Sequence, residues 1–165
     1  MSEEAAVRDA VEKMWQAEDL DPLYESLAIR AEAADKGVAL DQLEDYNVRD
    51  RELPKIEQEG SIISTELVKE IGRRWWEKFE PKIYDLLCNK ENPEHDKFVN
   101  ALGGSAKELA ILLAPSLLAS LAGAVPAVVV VVATIAAKRI AESGLEAMCE
   151  VWAAARAEAA EEGKE

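Results

Sequence analysis

The chain has 165 residues, a formal net charge of −14 at pH 7 and charged side chains at 32% of its positions. A chain of this length can bury a sizeable single-domain core. Its acidity excludes a general nucleic-acid binder, because phosphate is repelled by such a surface and the one basic cluster, Arg73 with Arg74, is too small to reverse that.

In chain order, Ser2 followed by Glu3 and Glu4 marks a helix start, with Val7, Val11, Met14 and Trp15 on one face at helical spacing. That helix is expected to end near Leu20. Asp21 and Pro22 open a second helix, in which Leu23, Leu27, Ala31 and Ala34 face inward until Gly37 closes it. The acidic amphipathic start carries no apolar stretch of the signal-peptide kind, so the expected location is the cytoplasm or the cytoplasmic face of a membrane. From Val38 to Gly60 the composition is that of a polar connector, with a short helix predicted over 41–51.

After Ser64 the apolar stripe of Leu67, Ile71, Trp75 and Phe79 continues through Ile83, Leu86 and Leu87 beyond Pro81. Such continuity predicts one helix kinked at the proline, with a clean break as the alternative. Trp75 lies on this stripe, and Trp76, about 100° further round, falls at its edge. Trp76 with Arg73 is therefore the candidate partner or interface contact. Asn92 and Pro93 predict the next helix start, with Phe98, Val99 and Leu102 apolar before Gly103 and Gly104 stop it. The double glycine divides an acidic amphipathic helical domain, residues 1–104, from residues 105–165, an apolar helical hairpin with an amphipathic tail.

From Leu109 to Ala137 there is no charged side chain. Ser105-Ala-Lys-Glu108 forms a capping box that fixes the start of this run as a helix N-terminus. Gly123 and Pro126 split it into arms of 105–122 and 126–143, so a single straight span fits poorly. The residues expected on the inserted or buried faces are Leu109, Leu113, Leu117 and Leu121 in the first arm, and Val128, Val131, Val132 and Ile135 in the second. Ser116 with Ser120 and Ala119 with Gly123 are small-residue pairs suited to close helix packing.

Three environments fit the run: a hairpin inserted in a bilayer, a kinked single span, or a hairpin buried in a bundle or oligomer core. Lys107, Lys138 and Arg139 place both ends on the cytoplasmic side in the first case. The tail from Ile140 through Leu145, Met148, Cys149 and Trp152 returns to amphipathic spacing, and no period-two pattern persists anywhere, so the fold class is all-α, a helical bundle.

The chemistry is sparse. His95 is the sole histidine and lacks a second ligand at metal-binding spacing; no phosphate-binding glycine loop is present. Cys88 and Cys149 lie far apart on apolar helix faces and read as reduced, partly buried thiols. No catalytic, cofactor or metal site is expected. The leading expectation is a non-enzymatic membrane-associated effector or anchor that inserts its hairpin into a lipid bilayer, as an oligomeric pore in one form. Its N-terminal helices would bind a protein partner or a second copy. The alternative is a soluble all-α adaptor or assembly protein whose hairpin is buried in a monomer or oligomer core.

Overall fold

The computed structural model describes residues 2–38, 43–58, 61–62, 64–121 and 123–162, and the fold is all-α. The helices are α1 (Glu3–Trp15), α2 (Asp21–Asp35), α3 (Thr65–Leu87), α4 (His95–Gly104), α5 (Ala106–Ser120), α6 (Pro126–Ser143) and α7 (Leu145–Glu162). A 3-10 turn at Asp50–Glu52 and an antiparallel pair, β1 (Glu57–Gln58) with β2 (Ser61–Ile62), lie between α2 and α3. Part of the helix predicted over 41–51, at residues 41 and 42, lies outside the described residues.

Local chemistry sets these boundaries. The hydroxyls of Ser2, Ser64 and Ser105 accept from the amides of Ala5, Leu67 and Glu108 at 3.2, 3.4 and 3.1 Å, satisfying donors that the first turn leaves unpaired. Pro126 starts α6 at a position where a missing N–H costs nothing. Helix α1 stops at Trp15, short of Leu20, and the Lys138 ammonium donates to the carbonyls of Trp15 and Ala17 at 3.0 and 2.8 Å. A cation there suits the negative end of the helix dipole. Pro81 lies inside a continuous α3. Gly103 and Gly104 belong to α4, which begins at His95 and not at Pro93.

Helix α6 is the axis of the molecule. Every residue from Ala127 to Ala137 is buried. Its most extensive neighbour is α5, and α2, α1, α7 and α3 complete the enclosure. Val128, Val131, Val132 and Ile135 thus face protein, as do Leu109, Leu113 and Leu117 of α5, while Leu121 is half-buried at the α5 end. Each fully buried valine or leucine is worth about 1.5–3 kcal/mol. Thr134, the one polar side chain in this stretch, returns its hydroxyl to the Val130 carbonyl at 2.8 Å and needs no outside partner.

The bilayer reading is overturned here. Among the described residues no helix is long and apolar enough to cross a membrane. Helix α5 has 15 residues and α6 has 18, with Lys138, Arg139 and Glu142 inside the latter, so the apolar length falls short of the ~30 Å hydrocarbon core. The apolar faces meant for lipid are occupied by other helices. One core cluster takes side chains from both sides of the Gly103–Gly104 position, among them Val7, Leu27, Phe98, Leu113, Val130 and Trp152.

A second structural surprise is covalent. Cys88 and Cys149 form a disulfide with a Cα–Cα distance of 5.7 Å, correcting the expectation of two reduced thiols. It joins the end of α3 to the first turns of α7.

Candidate functional site

Arg30, on α2, is buried at 5% exposure and holds the 43–53 segment to the core. Its guanidinium donates to Asp50 Oδ1 at 2.9 Å, to the Val48 carbonyl at 2.9 Å and to the Ala127 carbonyl at 2.8 Å. Ser26 donates to the same Asp50 oxygen at 3.2 Å. This node fixes Tyr46, whose hydroxyl donates to Glu3 Oε1 at 3.3 Å and so sets the connector against the start of α1. Burial, with the neighbouring Glu3 charge, pushes the Tyr46 phenol up to about 12.

Two clefts of about 700 Å³ each flank the start of α1, and both include Glu3. The first is floored by Ala6, Leu118, Val125 and Pro126 and rimmed by Glu3, Glu44 and Asp45. The second is floored by Ala101, Ile111, Leu112 and Pro115 and rimmed by Glu3, Glu4 and Glu108. They share Glu3 and both touch α5, the first at Leu118 and the second at Glu108, Ile111, Leu112 and Pro115, and so make a groove beside that helix. Arg8 is its only lining cation among the described residues, and it already forms a two-pronged pair with Glu108 at 2.7 and 3.2 Å. That pair holds the Glu108 carboxyl below its ordinary range and raises Arg8. Pro115 lies inside α5 and has no N–H to give the Ile111 carbonyl one turn back.

The groove thus has an apolar floor and acidic edges. Among the described residues no group of three or more His, Cys, Asp or Glu could hold a metal ion. His95 sits at the start of α4 with its Nδ1 buried and without a partner.

The small residues expected to pack helices divide. Ser116 is buried and accepts from Lys97 Nζ at 3.3 Å, whereas Ala119, Ser120 and Gly123 are exposed, the last with φ +78° in the turn after α5. Arg73 is half open, lies 5.5 Å over the Tyr24 ring and pairs with Asp21 at 3.4 Å. Trp76 is not at an edge. It is 2% exposed, packs against Trp152 with ring centroids 6.3 Å apart, and carries the Arg139 guanidinium 4.9 Å over its ring. Arg139 also donates to the Tyr24 hydroxyl. Trp75 is the half-buried one, donating to Glu32 Oε1 at 3.1 Å with Lys78 over its ring at 3.8 Å. Glu80 lies beside this cluster, where burial raises its carboxyl against the pull of Arg139.

The groove is what sequence reasoning missed. Its one legible signal was Pro115, ten residues into a helix; the rest depends on contacts such as Arg8 with Glu108 that join distant parts of the chain. No protein-family model matches the chain, and neither a curated protein nor a solved structure matches it.

Proposed function

We propose that this chain is a non-catalytic adaptor or assembly protein, a helical bundle whose α5–α6 hairpin closes its own core. Its groove along α5 receives a basic amphipathic segment of a protein partner. The observation that carries this reading is the lining of the groove: apolar side chains flanked by five carboxylates, with a single cation that is already paired. The net charge of −14 steers basic partners toward the molecule, and an apolar stripe on the partner would supply the grip.

The test uses labelled synthetic helices of lysine and leucine, matched against a glutamate and leucine helix, with anisotropy as the readout. The basic helix is expected to bind at micromolar concentration, and the acidic one to fail. The double substitution Glu4→Lys with Glu44→Lys should weaken binding about tenfold or more, with a shallower salt dependence. Equal binding by the variant, or no preference between the two helices, would sink the proposal.

A further inference from the structure

Helix α7 differs from the other helices in how it is held. It packs chiefly against α3 and α6 and contributes two buried side chains to the core, Met148 and Trp152. Arg156 lies 4.7 Å over the Tyr84 ring, Leu145 is half-buried, and Val151 is left 55% exposed. The disulfide from Cys149 to Cys88 supplies the remaining attachment.

Two observations show that this docking is not optimised. The indole N–H of Trp152, whose ring packs against Trp76 across the α3–α7 contact, is buried without an acceptor. It forfeits a hydrogen bond to water that it would regain on exposure. The connection to α6 is Gly144 alone, at φ +88° and ψ 153°, with nothing within 4 Å of where a Cβ would be. A lone glycine tolerates that conformation and others alike, so once the contacts of α7 with α3 are released its dihedrals can change to re-aim the helix. Cys88 and Cys149 are themselves half-buried, neither closed off in the core as Trp76 and Trp152 are.

We propose that α7 is a redox-released arm: joined to α3 by the disulfide it covers Trp76, and reduction by a dithiol frees it to swing about Gly144. A thiolate of the dithiol attacks one sulfur, the S–S bond breaks and a mixed disulfide forms. The second thiol of the dithiol then displaces the protein sulfur. The dithiol ends as a disulfide, two electrons pass to the protein, and Cys88 and Cys149 each end with a proton. In a reducing compartment a disulfide of this kind is transient and serves sensing, not permanent bracing. The arm shares no residue with the α5 groove, so this proposal stands apart from the interaction role.

Hydrogen exchange of the full oxidised chain, with and without dithiothreitol, tests it. Reduction is expected to accelerate amide exchange within 145–158 about tenfold or more while 127–137 stays protected. Re-oxidation should restore the original rates. The variant Cys149→Ser should show the released pattern with no reductant, and the wild-type reduction experiment stands by itself should that variant not fold. Unchanged exchange in α7 on reduction would overturn the proposal. So would loss of protection in every helix together, since the disulfide would then be holding the whole fold and not one arm.

Discussion

At the scale of single residues, Arg30 bears the largest stake. Its donors satisfy the carbonyls of Val48 and Ala127 and the Asp50 carboxylate at once, so Arg30→Met would remove a donor from both carbonyls and leave Asp50 with Ser26 and water. Asp50 keeps a third of its side chain open to water, which places the expected loss near the lower end of the roughly 3–5 kcal/mol typical of a broken buried pair. A fall in the urea midpoint at unchanged slope measures it. Glu108 makes a pH prediction. Its folded carboxyl is held low by Arg8, so the pairing contributes above the ordinary carboxylate pKa and is lost as pH falls through the depressed one. An NMR titration should find its midpoint below that of an ordinary glutamate, and Arg8→Ala should bring it back up.

At the scale of helices, Gly72 sets the crossing of α2 and α3. A Cβ there would lie 1.9 Å from the Tyr24 carbonyl oxygen, so Gly72→Ala must push two backbones apart and should cost about 1–3 kcal/mol or more. Gly104→Ala meets nothing within 4 Å at the last helical position of α4 and should stabilise by at most about 0.5 kcal/mol. Thermal melts of the two variants should therefore shift in opposite directions.

The same glycine explains the misplaced tryptophan. A hydrophobic stripe read through Ile71, Trp75 and Phe79 treats glycine as no part of the buried face. Yet the absence of a side chain at Gly72 lets α2 approach most closely there, turning Trp76 inward one turn later. Helix starts were legible because caps are local: Ser2, Ser64, Ser105 and Pro126 each act within one turn. The break between α5 and α6 was legible for the same reason. The solvent of the apolar run was not, since 29 uncharged residues look alike whether lipid or five other helices surround them. Neither was the cysteine pairing, which needs α7 laid against the end of α3.

At the scale of the whole molecule, the excess of carboxylates is a standing repulsion. The ion pairs on the surface, such as Lys13 with Asp9 and Arg73 with Glu70, are exposed enough to be worth little individually. Screening should therefore relieve more than it removes, and adding salt to about 0.5 M should raise Tm by a few degrees. Differential scanning calorimetry across a salt series checks the sign.

The bond between Cys88 and Cys149 also closes a ring of chain that contains α4, α5 and α6. One proteolytic cut anywhere between Asn89 and Met148 leaves both pieces tied into a single molecule. On a gel such a nicked protein should migrate as one band without reductant and as two with it. The polypeptide can thus be severed through its middle, beside its most deeply buried helix, and still keep both pieces joined.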